Sequence, residues 1–295
     1  MAAFADAEVL GWLEAANELA AAAAETVRLD SPRLRRPGQG PLDPRRLAGQ
    51  GTVEARNKHH DPTDWVTGTD ERVEARIAAE LHARFPDHGF EGEEGEGRRQ
   101  AVGRSPRWLV DPLDGTTNFV AGLGNVGVSL AAASEDRLHL GVVADVWRGS
   151  LLAARDGAAP TLDGLPVGAS TARGLTGGIV MTELVGATSW AGLGRFAESV
   201  SGEGGCLRVI GSTALSLAAV ATGVARAAVL AGYHHLDTAA ACLAAHEAGA
   251  RLYGPPGERL LPSTAVPGLS GLVVAAPGVA EDVLEMFLEA RRGAR

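Results

Sequence analysis

Two aspartates at positions i and i+3, Asp111 and Asp114, form the pattern that points most directly to chemistry. They follow an apolar run, residues 108–110, that predicts the end of a buried strand. Pro112 stiffens the predicted turn between them, and Gly115 opens a run of small residues that can leave backbone N–H groups free at a helix start. Carboxylates beside free N–H groups suit a divalent cation that holds a phosphate, because the cation takes oxygen ligands and the N–H groups take the anion.

The spacing of the two aspartates alone favours a simpler interpretation, an Asp-rich turn that caps a helix. The longer string DPLDGTTNF, at residues 111–119, closely resembles the signature of the inositol monophosphatase family, the lithium-sensitive, magnesium-dependent phosphomonoesterases. Two further strings resemble the family's other acidic motifs: GEE, which contains Glu93, and DTAAACLAAHEAG, which begins at Asp237. Asp70 ends a segment, DWVTGTD, that is also similar to a family motif. The motifs stand in family order, and the resemblance covers most of residues 58–290.

Each of these acidic residues also has an ordinary structural interpretation. Glu93 lies in a Gly-rich acidic run that composition alone predicts to be a solvated loop. Asp70 and Asp237 each precede an apolar helical pattern, where an aspartate commonly caps the helix. The combination of motifs, rather than any one of them, favours the functional interpretation.

The resemblance implies a cluster of metal ligands. Glu93, Asp111 and the Leu113 carbonyl oxygen would hold one ion. Asp111, Asp114 and Asp237 would hold a second, and Glu93 with waters a weaker third. Hard oxygen ligands without His or Cys favour Mg²⁺ over Zn²⁺. We therefore expect two to three Mg²⁺ ions, with Mn²⁺ as a substitute and Li⁺ as an inhibitor.

The resemblance also assigns the reaction, hydrolysis of a phosphomonoester by a metal-activated water. Glu93 and Thr116, with Asp70 nearby, would orient or deprotonate that water. The backbone N–H groups of Gly115 and Thr116 would hold the phosphate oxygens, and Asp237 would lie against the substrate. The residues contain no pattern typical of a Ser or Cys nucleophile.

Two departures from the family concern the substrate. Members specific for inositol phosphate carry a Glu that contacts the ring hydroxyls, and that position falls on Leu230. Leu236 replaces the usual Trp, and His234 is a further candidate contact. Leucine cannot hydrogen-bond a polyol, so the sequence leaves selectivity for inositol open. An Arg- and Pro-rich stretch, residues 30–56, is either a surface insertion or a lid whose arginines bind phosphate.

The pattern of elements predicts two halves. Residues 1–175 begin with a helix over residues 5–29 and continue as an α+β unit with a mostly antiparallel sheet. They carry Glu93 and the 111–119 motif, and Asp163 and Gly164 form a predicted hairpin turn. Residues 176–295 alternate strands and helices in an α/β pattern and carry Asp237. The resemblance implies the layered αβαβα sandwich of the inositol monophosphatase and fructose-1,6-bisphosphatase type.

Composition limits the partners. The net charge of −9 argues against nucleic acid or an anionic membrane as the main partner. Two cysteines, Cys206 and Cys242, are too few for a disulfide framework, so we expect both to have packing roles in a reducing cytoplasm. The N-terminal segment matches neither a signal peptide nor a membrane span.

The leading hypothesis is a cytoplasmic Mg²⁺-dependent phosphatase of a small phosphorylated metabolite, either inositol-1-phosphate or another sugar or cyclitol phosphate. Histidinol phosphate, fructose-1,6-bisphosphate and nucleotide 3′-phosphates are alternative substrates. A metal-binding scaffold or regulator without turnover is the alternative from another class of protein. The resemblance also implies a homodimer.

Overall fold

The computed structural model describes residues 4–31, 55–57, 65–95, 97–135, 137–184, 188–262 and 271–292. Helix α1, Asp6–Asp30, agrees with the predicted helix and buries one side that includes Trp12 and Leu19. Strand β1, Ala55–Asn57, pairs antiparallel with β2, Trp65–Thr67. The predicted irregular stretch therefore ends in a strand, and its residues 32–54 lie outside the described part of the chain.

A seven-stranded sheet forms the first half of the chain. Its strands are β3 Gly89–Gly92, β4 Arg107–Asp114, β5 Gly127–Ala133, β6 Leu138–Asp145, β7 Ser150–Arg155, β8 Ala158–Leu162 and β9 Leu165–Pro166. They lie side by side in chain order, and every neighbouring pair is antiparallel except β3 and β4, which are parallel. Helix α2, Gly68–Arg84, precedes the sheet, and the short helix α3, Thr116–Ala121, connects β4 to β5.

The predicted hairpin turn at Asp163 and Gly164 is confirmed. These two residues connect the antiparallel partners Leu162 and Leu165 and have φ angles of 52° and 80°. A two-residue turn with positive φ at both positions follows the right-handed twist of the flanking strands, which explains the Asp-Gly pair.

A six-stranded sheet forms the second half. In chain order the elements are β10 Ile179–Thr182, α4 Leu193–Gly202, β11 Cys206–Arg208, α5 Thr213–Ala221, β12 Ala227–Leu230, α6 His235–Glu247, β13 Arg251–Tyr253, β14 Arg259–Leu260, β15 Leu272–Ala275 and α7 Ala280–Arg292. The strands lie in the order β11-β10-β12-β15-β13-β14. Strand β10 is parallel to β11 and β12, whereas the pairs that involve β13, β14 and β15 are antiparallel, so the sheet is mixed.

Three hydrophobic cores hold five layers together, as the expected αβαβα sandwich requires. The first core lies between α1, α2 and the outer face of the seven-stranded sheet. The second lies between the two sheets and contains α5 and α6, which pack on the inner face of the first sheet. The third joins the six-stranded sheet to α4 and α7. Helix α6 lies so close to β6 that a Cβ atom on Gly141 would come within 2.5 Å of the Ala240 Cα.

Strand β4 corrects the predicted turn between Asp111 and Asp114. The strand does not end at residue 110 but continues to Asp114. Asp111 pairs with Ser129 and Asp114 with Gly127, so β4 contains one more residue than β5 over this interval. Residues three apart in a regular strand point to opposite faces. The extra residue forms a β-bulge that brings both carboxylates to the inner face.

The two cysteines differ. Cys242 is fully buried in α6, as expected for a packing role, and burial raises the pKa of its thiol to about 12. Cys206 is exposed on β11, so the expected packing role is wrong there. Among the described helices, none is both long and apolar enough to cross a membrane.

Candidate metal centre

Three carboxylates from the sequence motifs meet between the two sheets. Asp111, Asp114 and Asp237 each present an oxygen atom, and these three atoms all lie within 4.8 Å of one another. The side chains of Asp111 and Asp114 are buried, and that of Asp237 is partly exposed. A bulge in β4 positions two of them, and the first turn of α6 positions the third.

A hydrogen bond from β5 fixes the first turn of helix α6 beside the bulge in β4. Ser129, which pairs with Asp111, donates a hydrogen bond from its buried hydroxyl to the Leu236 carbonyl at 3.1 Å. Asp237 is the third residue of the helix, while the N-cap is His234, whose side chain makes no capping bond. The simple N-cap interpretation of Asp237 is therefore wrong.

A loop from the second sheet surrounds Asp114 with donors. The Thr213 and Ala214 N–H groups donate to its carboxylate at 3.2 and 2.8 Å, and the Ser212 hydroxyl also donates. Ser212 also caps α5 by accepting from the Leu215 N–H. These bonds favour the ionised form of Asp114 and fix the direction of its two oxygens.

Burial and mutual repulsion govern the electrostatics of the cluster. Burial raises the pKa of Asp111 and Asp237 well above the ordinary value, and neighbouring carboxylates, including Glu93, raise each of them further. Burial also raises the pKa of Asp114, to about 6, although its hydrogen bonds oppose the shift. Crowded carboxylates of this kind become favourable when cations lie among them. The donor set is all oxygen, which fits Mg²⁺.

Glu93 follows β3 and is exposed, and its charge reaches the buried cluster, where it raises the pKa of all three aspartates. The loop that carries it rests on Glu74, a fully buried residue of α2 that accepts a hydrogen bond from the Glu94 N–H at 2.8 Å. Gly92 permits this packing, because a Cβ atom there would come within 2.3 Å of the Glu74 carboxyl carbon and the Glu74 side chain would have to shift.

Asp70 and Thr116, assigned to the attacking water, lie together. The Thr116 hydroxyl is 3.2 Å from Asp70 Oδ1 and 3.1 Å from the Leu113 carbonyl oxygen. Asp70 is fully buried and forms a capping box with Thr67 at the start of α2. Burial raises the pKa of Asp70 to about 6, bonds from Thr67 oppose the shift, and the charge of Glu93 adds to it.

Gly115 connects the bulge to α3 in a conformation that other residues adopt with strain, with φ of 94°. A Cβ atom there would lie 2.9 Å from the Asn125 carbonyl oxygen and 3.0 Å from that of Gly211. The position therefore requires glycine for both its dihedral angle and its space.

The two candidate contacts for the alcohol part of the substrate, His234 and Leu230, differ in exposure. His234 is exposed, and its ring centroid lies 4.7 Å from that of His235, with the two ring planes tilted by 32°. Leu230 is fully buried in the core between the sheets, so its side chain presents no surface to a substrate.

Sequence reasoning missed two groups of residues near the centre. Glu91 bonds His235 at 3.0 Å and Arg107 at 3.2 Å, and so ties the strand before Glu93 to the helix that carries Asp237. Glu183, at the end of β10, belongs to no motif that we recognised. Burial raises its pKa to about 7, bonds from Ser216 and two backbone N–H groups oppose the shift, and the charge of Asp114 adds to it. Among the residues that support the cluster, only Ser212 could have been found from a local sequence pattern, because Ser commonly precedes the first residue of a helix.

Comparisons with known proteins identify the class to which this fold and site belong. Residues 12–292 match the inositol monophosphatase family, and the chain belongs to that family. Inositol monophosphatase 1 of Sus scrofa is 33% identical over 195 residues, which cover 64% of this chain and 70% of that protein. Inositol monophosphatase 2 of Rattus norvegicus is 35% identical over 192 residues, 63% of this chain and 66% of that protein.

The same architecture occurs in solved structures. An IMPase from Thermotoga maritima superposes with a TM-score of 0.79 over 97% of this chain and 100% of that one, at 23% identity. The fold is therefore the αβαβα sandwich of these proteins. Membership of the family makes the chain a phosphoric monoester hydrolase that depends on metal ions and acts on small phosphorylated substrates.

Proposed function

We propose that the protein is a Mg²⁺-dependent phosphatase of a small cyclitol or sugar phosphate, with inositol-1-phosphate as the first substrate to test. The observation that carries the proposal is the cluster of Asp111, Asp114 and Asp237 on a bulged strand and a helix start. The names of the relatives that match this chain support inositol phosphate as the first candidate.

The residues that would hold Mg²⁺ are the three aspartates, Glu93 and the Leu113 carbonyl oxygen. Two to three ions would offset the repulsion among four carboxylates, and Mn²⁺ is a chemically similar substitute. Bound there, the ions would neutralise the phosphate, favour ionisation of a water molecule and stabilise the leaving alkoxide. Inhibition by Li⁺ belongs to the same proposal.

The protein's own groups would position the reactants. Thr116 Oγ1 lies between Asp70 and the Leu113 carbonyl oxygen, and this arrangement fixes its hydroxyl for contact with an attacking water. Glu93, exposed beside the cluster, would accept a hydrogen bond from that water and hold its proton. The N–H groups of Gly115 and Thr116 would bind phosphate oxygens.

The alcohol part of the substrate is less constrained. Leu230 and Leu236 are buried and have hydrocarbon side chains, so neither can give a ring hydroxyl a hydrogen bond. Exposed His234, three residues before Asp237, is a candidate side chain for contact with the alcohol. Histidinol phosphate, fructose-1,6-bisphosphate and nucleotide 3′-phosphates therefore remain alternatives to inositol-1-phosphate.

A panel of these phosphomonoesters, assayed for phosphate release with and without Mg²⁺, tests the proposal. We expect Mg²⁺-dependent release with at least one substrate and loss of release in Asp111→Asn. The absence of turnover on the whole panel by a protein that binds Mg²⁺ would instead favour the metal-binding scaffold.

A cytoplasmic homodimer completes the proposal. The family resemblance supports the dimer, and the scarcity of cysteines supports a reducing compartment. Sedimentation velocity at micromolar concentration should give the mass of two chains. A species with the mass of one chain would contradict the dimer.

A further inference from the structure

Glu183 lies at the carboxyl end of β10, beneath the loop that leads from β11 to α5. Its side chain is only 6% exposed. One carboxylate oxygen accepts from the Ser216 hydroxyl at 2.6 Å and from the Ile210 N–H at 3.3 Å, and the other accepts from the Gly211 N–H at 2.8 Å. Glu183 thus bonds both the loop and the helix that follows it.

The same loop continues directly into the donors of Asp114. Ser212, Thr213 and Ala214 follow Gly211 in the chain, and all three donate to the Asp114 carboxylate. From the other side, the Asn118 side-chain amide donates to the Ile210 and Gly211 carbonyl oxygens at 2.8 and 3.1 Å. The loop is therefore held between Glu183 and Asn118 while it holds Asp114.

We infer that Glu183 is a positioning residue for Mg²⁺ binding: it fixes the loop 210–214 in the orientation that directs Asp114 into the cluster. This inference rests on the proposed function for the identity of the metal. Glu183 touches none of the three clustered aspartates through a hydrogen bond in the described structure, so it acts through the loop. Groups that orient a metal ligand from behind typically change metal affinity when they are altered.

A carboxylate is the group that this position requires. The three groups that face Glu183 are two backbone N–H donors and one hydroxyl, and they bond to both carboxylate oxygens. Glutamine has one acceptor oxygen, so its amide nitrogen would face at least one N–H group. Alanine has no side-chain acceptor, so the loop would lose two bonds and α5 would lose one.

Calorimetric titration of full-length protein with Mg²⁺, without substrate, tests the inference. We expect Glu183→Ala to weaken Mg²⁺ binding about tenfold or more. Glu183→Gln should have an intermediate effect. In the phosphatase assay, the Mg²⁺ concentration for half-maximal rate should rise, while kcat at saturating Mg²⁺ should stay within about threefold of wild type, because the ligands themselves are unchanged.

Glu281→Gln is the matched control. Glu281 is a carboxylate that also accepts from a hydroxyl, that of Tyr253 at 3.0 Å, but it lies on α7 at the far side of the second sheet. Its replacement should leave Mg²⁺ binding unchanged. Glu183→Gln keeps one side-chain acceptor oxygen and so provides a milder variant in case Glu183→Ala does not fold.

A folded Glu183→Ala or Glu183→Gln variant that binds Mg²⁺ within twofold of wild type would overturn the positioning role. A fall in thermal stability with unchanged affinity would assign Glu183 a purely structural role. Wild-type protein that binds no Mg²⁺ would instead overturn the proposed function, and this inference with it.

Discussion

At the scale of single residues, the centre is a balance between burial and charge. Asp111 is buried next to Asp114, Asp237 and Glu93, and all three neighbours raise its pKa. Its Oδ1 accepts a hydrogen bond from the Leu113 N–H at 2.9 Å, which an asparagine oxygen can also accept. Removal of this one charge therefore changes the electrostatics with little change in shape.

Asp111→Asn should have opposite effects on stability and on activity. We expect the metal-free variant to be more stable than wild type at pH 7, because one repelling charge is gone. Added Mg²⁺ should stabilise wild type but not the variant, and phosphate release should fall below detection. Thermal unfolding with and without Mg²⁺ measures the first two effects. A variant that Mg²⁺ still stabilises as much as wild type would contradict the ligand assignment.

The raised pKa values predict how the stability of metal-free protein depends on pH. Asp70 has a pKa of about 6 in the folded chain and an ordinary value of 3.8, so between these values the folded state binds more protons than the unfolded state. Stability is therefore highest below pH 4 with respect to this group and falls as pH rises to about 6. For Asp70 alone the loss is on the order of 3 kcal/mol.

Urea unfolding from pH 4 to 7 in the presence of a chelator measures this dependence. Asp114 and Glu183 contribute in the same direction, since their pKa values are also raised. Asp70→Asn should reduce the slope. Stability that rises with pH over this range would contradict the assigned shifts. Mg²⁺ should oppose the loss at higher pH, because a metal ion binds the ionised form of its carboxylate ligands.

At the scale of elements, the position of Asp237 depends on how closely α6 approaches the first sheet. Gly141 on β6 leaves the space in which Ala240 of α6 lies. Gly141→Ala should push the helix outward, at a cost of about 1–3 kcal/mol for overpacking, and should weaken Mg²⁺ binding as Asp237 moves. Gly194→Ala is the control, because that helical glycine of α4 has open space around its α-carbon. Equal Mg²⁺ affinity in both variants would show that the approach of α6 is unimportant for the centre.

Several of the helices, strands and turns could be predicted from the sequence. The amphipathic pattern of residues 5–29 and the Asp-Gly turn are local signals, and the structure agrees with both. The bulge at Asp111–Asp114 was not predicted, because Pro112 and the two aspartates are equally typical of a turn. Strand pairing with β5 decides between these structures, and pairing is not a local property.

The environment of Glu183 and Leu230 could not be predicted for a similar reason. Each lies at the end of a strand in the second sheet, and its surroundings come from distant parts of the chain. Glu183 meets residues 27–33 positions away, and Leu230 is covered by a core that both sheets share. Motif resemblance identified the three aspartates that cluster between the sheets, but it contained no information on what supports them.

At the scale of the whole molecule, the two predicted halves share a core. Helix α6, from residues 176–295, packs on the inner face of the seven-stranded sheet, where Leu109, Val143 and Leu152 are buried. A fragment of residues 1–175 would expose this apolar face. We expect the fragment to lack a cooperative thermal transition by circular dichroism, whereas the full chain shows one. A fragment that melts cooperatively would contradict this and would support independent domains.

The bulge in β4 has a consequence for the length of the motif. In an unbroken ladder, one residue between two aspartates would suffice to turn both side chains the same way. The chain uses two, and the additional residue lifts the Leu113 carbonyl out of regular pairing, where the Thr116 hydroxyl reaches it. The spacing D-x-x-D thus records a backbone irregularity as well as two acids. Shortening this segment by one residue would preserve both carboxylates and remove the carbonyl that Thr116 contacts, and so would separate the contribution of the main chain from that of the side chains.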